Sequence, residues 1–222
     1  MSAAYDGSAL LDWSWVADHT DEIWFRTREH LVLTGWAVLL GILIALPLAV
    51  LVQRRRRLLG PVLAGTGVLY TIPSLAAFAL LLPFTGLSPA TAVVPLTTYT
   101  LLILVRNVVT GLDGVAPEVR EAATGMGYGP WRRLAAVELP LALPAAIAGV
   151  RIATVTTIGM VPVAALVGQG GLGALMLDGF DRDFQTPLTV GIVLTVALAV
   201  AADALLLGVQ RVATPWSRRA AV

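Results

Sequence analysis

The chain has 222 residues, of which 57% are hydrophobic and 13% charged, and its formal net charge is +1. A soluble domain carries about 25% charged residues, and a core of this size cannot absorb so much apolar surface, so lipid must cover the rest. All fifteen basic residues are arginines and there is no cysteine, which excludes a disulfide framework, a thiolate metal site and any chemistry that needs a lysine in this chain.

Residues 1–25 are acidic and lack a basic leading segment, so they do not read as a cleaved signal. The first long apolar run is expected to direct insertion. Leu10, Leu11, Trp13, Trp15, Val16, Ile23, Trp24 and Phe25 are spread among carboxylates, the pattern of an amphipathic helix over residues 9–29 lying in the outer interface.

Five apolar stretches follow, Leu31–Val52, Leu59–Leu82, Ala90–Leu112, Leu139–Val167 and Pro187–Val209. Each reaches the ~20 residues needed to cross ~30 Å of hydrocarbon. The expected fold class is all-α, a polytopic membrane protein with five transmembrane helices. Pro47, Pro73, Pro95, Pro144 and Pro162 fall inside the stretches. Each marks a candidate kink or break, with neighbouring hydroxyls able to satisfy the freed carbonyls.

The arginines give an orientation. Arg54–Arg57, the set Arg120, Arg132 and Arg133, and the set Arg211, Arg218 and Arg219 all fall on one face after five crossings. Basic loops stay cytoplasmic, so the N-terminus is expected outside and the C-terminus inside. The outer segments agree: residues 83–89 are uncharged and residues 178–183, DGFDRD, are mainly acidic.

The longest internal loop separates the third and fourth stretches. Pro117 can open a helix, and Glu118 and Glu121 suit its positive end, so residues 117–124 read as a short helix. Gly125, Gly127 and Gly129 allow a sharp turn, and Pro130 can start a second helix bearing Trp131, Arg132 and Arg133. A loop that only linked two spans would not need such a knob. Small alanines and flanking charges suit an element on which another surface docks.

These residues carry a resemblance. Glu121-Ala122-Ala123, three residues, Gly127, nine residues, Val137, one residue, then Leu139-Pro140 resembles the EAA loop of ABC-importer permeases. In that family the loop forms the coupling helix, seated in a groove of the cytoplasmic ATPase. Tyr128 and Arg132 lie within it. "YTIPSLA" (70–76), "LVRNVVTGLDGV" (104–115), "VELPLALPAAIAGVR" (137–151) and "VGQGGLG" (167–173) are similar to permeases of osmoprotectant importers, the ProU/OpuC-like group that takes up glycine betaine, proline betaine, carnitine or choline. Importers of methionine and other small solutes share the fold and much of the loop, so an amino acid or an ergothioneine-like betaine is the alternative cargo. The resemblance does not cover the amphipathic tail, 1–27, which is expected to be extracytoplasmic; beyond it the chain is expected to comprise a permease domain, 28–213, with its coupling loop at 114–138, and a cytoplasmic tail, 214–222. The resemblance implies two ATPase subunits that bind ATP and Mg, a second permease subunit, identical or homologous, and an extracytoplasmic substrate-binding protein, all at the plasma membrane. Nothing in it involves nucleic acid.

The residues fit that division of labour. A phosphate-binding loop of the P-loop type needs a lysine, so the ATPase must be a separate subunit. "GQGGLG" is expected instead to be an external turn before a short interfacial helix, Ala174–Leu177, with Gly170, Gly171 and Gly173 as candidate gate residues. The two histidines, His19 and His30, lack metal-binding spacing, and His30 is expected at the interface. A stand-alone channel or secondary transporter fits less well, because no internal repeat is evident. A membrane enzyme lacks a convergent catalytic set.

Three charges lie inside the stretches, Arg106, Arg151 and Asp203, and each is costly unless paired or hydrated. Arg106 and Asp203 lie at similar depth, ~10 Å from the cytoplasmic ends of their stretches, and Arg151 lies deeper. Asp203 is expected to pair with Arg106 or Arg151. A quaternary ammonium favours aromatic faces, which makes Tyr70, Phe78 and Tyr99 candidates for the pathway, together with Pro73 and Ser74. Thr71, Thr97, Thr98, Thr154, Thr156 and Thr157 are expected either to line it or to mend kinked backbone.

Overall fold

The protein is described here by a computed structural model covering residues 10–218. Arg219 and the first nine residues lie outside the described residues, so that part of the positive-charge reading has no structural counterpart. The described chain is helical throughout, in the order α1 (Trp13–Asp18), α2 (Thr20–Arg54), α3 (Leu59–Thr71), α4 (Ser74–Thr85), α5 (Pro89–Asp113), α6 (Pro117–Gly125), α7 (Pro130–Arg133), α8 (Leu139–Met160), α9 (Leu172–Asp181) and α10 (Gln185–Ala213).

Four segments are long and apolar enough to cross a membrane: α2, α5, Pro130–Val167 and α10. The second expected span is not a single rod. Residues Arg56–Thr71 and Ser74–Thr85 bend by 89° at Ile72-Pro73. Proline removes an N–H and excludes the preceding residue from helical geometry, and Ile72 is extended, with ψ 125°. The Tyr99 hydroxyl donates to the orphaned Ile72 carbonyl at 2.8 Å. The fourth span ends as an α-helix at Met160 and continues as a tight 3-10 helix, Val161–Val167, carrying Pro162.

Three expectations at the end of the bundle near the N-terminus differ from the structure. Residues 9–29 do not form one helix in the interface: α1 is a six-residue helix capped by the Asp12 carboxylate, and α2 begins at Thr20. Its 35 residues extend ~52 Å at 1.5 Å per residue, well beyond the hydrocarbon. The helix after "GQGGLG" is Leu172–Asp181, ten residues rather than four, and one face of it is packed in the protein. Leu172 and Leu175 are buried with Trp15, Phe184 and Val190. His30, expected at the interface, is fully buried, and its Nε2 meets the Ile158 carbonyl at 3.1 Å.

α5 is the hub, packed on α2, α3, α4 and α8. Close approach depends on glycines. A Cβ on Gly111 would lie 2.8 Å from the Ala145 Cβ, and one on Gly149 would lie 2.5 Å from the Asn107 Cβ, so α5 and α8 meet nearly backbone to backbone. Leu104, Val105, Val108 and Leu112 join Ala45, Ala49 and Val52 of α2 in one core half, while Leu33, Ala37, Phe78 and Leu96 fill the other. Phe78 is fully buried, so it packs the core and offers no face to a solute.

Candidate functional site

One end of the bundle gathers the end of α2, the end of α5, helices α6 and α7, and the start of α8. Helix α6 opens on Pro117 and closes at Gly125, one residue beyond the expected end. Its closure explains the motif. Gly127 has φ +83°, the Gly127 N–H donates to the Thr124 carbonyl at 2.9 Å, and the Tyr128 N–H donates to the Ala123 carbonyl at 3.1 Å. This pair of bonds around a left-handed glycine is the Schellman closure of a helix C-terminus. The glycine four residues after Ala123 is therefore fixed by backbone geometry. A Cβ there would meet nothing within 4 Å, so the position is open on the side facing away from the bundle.

Ala123 points inward at 1% exposure, whereas Glu121, Ala122 and Met126 face outward. Gly129 precedes α7, and Arg132 lies over the Tyr128 ring, 4.5 Å from its centroid. A π-helical turn, Leu134–Glu138, contains half-buried Val137 and leads into α8, whose first residues are Leu139 and Pro140.

Glu138 holds this assembly together, and sequence reasoning missed it. The side chain is buried, and its carboxylate accepts from Arg133 Nε at 2.8 Å and lies 3.8 Å from Arg120 Nε. Arg133 also donates to Thr124 Oγ1 at 3.0 Å, and Arg120 to the Leu112 carbonyl. One carboxylate thus ties α6 and α7 to the starts and ends of the spanning helices. The available signal was a lone acid placed five residues after Arg133, immediately before an apolar run. The Arg56–Asp113 pair and the Arg54 guanidinium, 3.2 Å above the Trp131 ring centroid, fasten the end of α2 to the same region.

Between α8 and α10, Arg151 meets Asp203 with two parallel bonds, Nε to Oδ1 at 3.0 Å and Nη2 to Oδ2 at 2.9 Å. Gln210 accepts from Arg151 and donates to the Pro144 carbonyl. Asp203 therefore pairs with Arg151. Arg106 is exposed on α5 and takes no part. Of the two expected partners the structure selects Arg151; α10 continues four residues past Val209, to Ala213, which places Asp203 ~6 Å farther from the end of its helix than the apolar stretch implied. The pair borders an open cleft of about 590 Å3 between α8 and α10, which Thr156 also lines.

The fold, the knob and the charged pair together can be compared with known proteins. Residues 37–213 match the model of the binding-protein-dependent transport system inner membrane component family. The chain belongs to that family. It is a transport permease, and a multi-pass membrane protein. The osmoprotectant import permease protein OsmW of Salmonella typhimurium is 42% identical over 194 residues, covering 85% of this chain and 90% of the relative. The glycine betaine/carnitine/choline transport system permease protein OpuCB of Bacillus subtilis is 35% identical, covering 87% and 89%. An inward-facing crystal structure of the MetNI methionine ABC transporter superposes with a TM-score of 0.75 at 25% identity, covering 91% of this chain and 98% of that one. This permease is thus a transport component of an ABC importer, a machine class that works with an ATPase and a substrate-binding partner.

The remaining residues singled out in the sequence fall in two places. Tyr99 is buried and Tyr70 is exposed, their rings meeting edge to face at 6.0 Å beside exposed Pro73 and half-buried Ser74. Thr71, Thr97, Thr98, Thr154 and Thr157 each return a hydrogen bond to a carbonyl three or four residues earlier. Gly170, Gly171 and Gly173 are buried. A Cβ on Gly171 would come within 2.7 Å of the His30 backbone, and one on Gly173 within 2.4 Å of Pro162. They let the turn pack against α2 and the 3-10 helix.

Proposed function

We propose that this permease imports quaternary-ammonium osmoprotectants such as glycine betaine, carnitine or choline, driven by two ATPase subunits that bind ATP and Mg, with an external protein delivering the solute. The substrate reading rests on what the relatives are named for, osmoprotectant import and glycine betaine/carnitine/choline transport, at 42% and 35% identity. A second permease subunit, identical or homologous, completes the pathway. The half-exposed Arg151–Asp203 pair favours this, because a charged pair facing lipid is costly and a neighbouring subunit or water-filled path removes that cost. Tyr70 is the ring left available to a cation beside the broken span.

The N-terminus lies outside and the coupling knob inside, as the arginine distribution requires. ATP-driven closure of the ATPase pair moves the knob through Glu121, Ala122 and Met126. Glu138 and its arginines transmit that motion to α8, and the bundle turns between inward-open and outward-open states.

The observation that carries this reading is the exposed, Schellman-closed turn at Gly127. Substituting Gly127→Asp adds a charged side chain where the permease itself has open space. Uptake of labelled glycine betaine is expected to vanish while the variant stays inserted at normal abundance. Normal uptake overturns the coupling role. The chain has no native cysteine, so a single Glu121→Cys can be labelled selectively. Labelling from the outside overturns the orientation.

A further inference from the structure

We propose that a cavity between the end of α2 and the α6–α7 turn binds a phosphate-bearing anion, supplied by a phospholipid headgroup of the adjoining leaflet. The cavity measures about 400 Å3 and is lined by Gln53, Arg54, Arg56, Arg120, Arg133 and Glu138, among others. At ~30 Å3 per water it has room for a phosphate with its ester oxygens. Four guanidinium groups line it. Glu138 answers two of them and Asp113 a third, which leaves an excess of two positive charges.

The cavity also holds unmet hydrogen-bonding capacity. Arg120 Nε and Gln53 Oε1 are buried there without a hydrogen-bond partner among the described residues. An unmade bond to a buried charged donor is expensive. A phosphate oxygen beside Arg120 supplies the acceptor, and the Gln53 amide, turned over, supplies a donor. The forked guanidinium matches phosphate geometry better than any other side chain. Arg54, held flat on the Trp131 ring rather than by a carboxylate, has its donors free for such a ligand.

Position favours a lipid over an acidic side chain of the ATPase. The cavity lies on the inward side of the knob, with Arg120, while the face presented for docking carries Glu121, Ala122 and Met126. Basic pockets where spanning helices end are where anionic headgroups bind. A phosphate there joins α2 to the knob and so stiffens the joint through which motion passes. The proposal rests on the topological reading only in needing this end to lie at the membrane surface.

The test uses the full chain in nanodiscs of phosphatidylcholine containing phosphatidylglycerol, with native mass spectrometry of the lipids retained. Wild type is expected to retain phosphatidylglycerol preferentially. At ~1 kcal/mol per arginine near a charged surface, each of Arg54→Gln and Arg56→Gln lowers retention about fivefold. Arg57→Gln, which lies off the cavity, leaves it high and controls for folding, while Arg54→Lys, which keeps the charge but loses the fork, gives a smaller loss than Arg54→Gln. A second arm adds inorganic phosphate to lipid-stripped protein in detergent. A rise in melting temperature that the Arg54→Gln, Arg56→Gln double variant loses, without any phosphatidylglycerol preference, assigns the site to free phosphate and overturns the lipid source. Retention unchanged by the double variant, with no effect of phosphate, overturns the site. None of these readouts depends on which side residue 121 faces, so a failed topology is seen separately.

Discussion

Helices α5 and α10 both cross the membrane, yet they are built oppositely. The most apolar window of α5 has mean hydropathy 1.6 and is 67% buried, whereas that of α10 has mean hydropathy 2.5 and is 17% buried. In a soluble protein the greasier helix would lie inside. In a bilayer the outer helix must be apolar all round because lipid is its solvent, and the central helix can carry hydroxyls and small residues because protein surrounds it. α5 accordingly buries Thr91, Thr97 and Thr100 and meets its neighbours at glycine contacts, while α10 exposes Ile192, Val193, Val196, Val200 and Leu205.

The sharpest way to break this contrast is to make α5 bulky. Gly111→Leu places a branched side chain where even a Cβ would lie 2.9 Å from the Ala142 carbonyl oxygen. Overpacking of this kind costs about 1–3 kcal/mol or more. The variant is expected to melt well below wild type in detergent and to be recovered poorly from membranes. An unchanged melting temperature would show that α5 and α8 are not in close contact.

A smaller effect is expected where α10 does contact the bundle through polar groups. Arg151→Ala leaves Asp203 without its two bonds, and Asp203→Ala leaves Arg151 uncompensated. Both are expected to lower the melting temperature, by less than Gly111→Leu because the pair is partly exposed. The exchange Arg151→Asp with Asp203→Arg should recover part of the loss. A double variant no better than either single one refutes direct pairing. The smallest effect is expected on the outer face of α10. A Cβ on Gly208 meets nothing within 4 Å, so Gly208→Ala should leave the melting temperature unchanged or raised slightly through helix propensity. A clear loss there would mean that the face is covered by another subunit at that point, which uptake assays of the same variant would register.

The contrast also marks how far the sequence could be read. Apolar length gave the spans, because a bilayer demands ~20 residues whatever they pack against. The helix–turn–helix knob was legible for a local reason: proline at helix starts and a glycine requiring positive φ are backbone facts carried by single residues, as at Pro117, Pro130 and Gly127. The role of Glu138 was not legible, since an isolated acid near a span is equally a solvated one. Its two arginines come from different helices. The pathway candidates divided for a similar reason. Tyr70 and Tyr99 are alike in sequence, but only Tyr99 turns inward to bond Ile72.

By itself, the sequence determined that this is a membrane protein, which segments are apolar and long enough to cross, and where a helix–turn–helix knob interrupts them. Those conclusions follow from solvent and backbone constraints acting over a few residues or one helix. Tertiary structure alone decided that Asp203 chooses Arg151, that Glu138 binds the knob to the spanning helices, that the second apolar stretch is bent by 89°, and that the chain before the first long helix packs onto Phe184. Each of these depends on the side on which two distant segments meet, and no local pattern of apolar and charged residues records that.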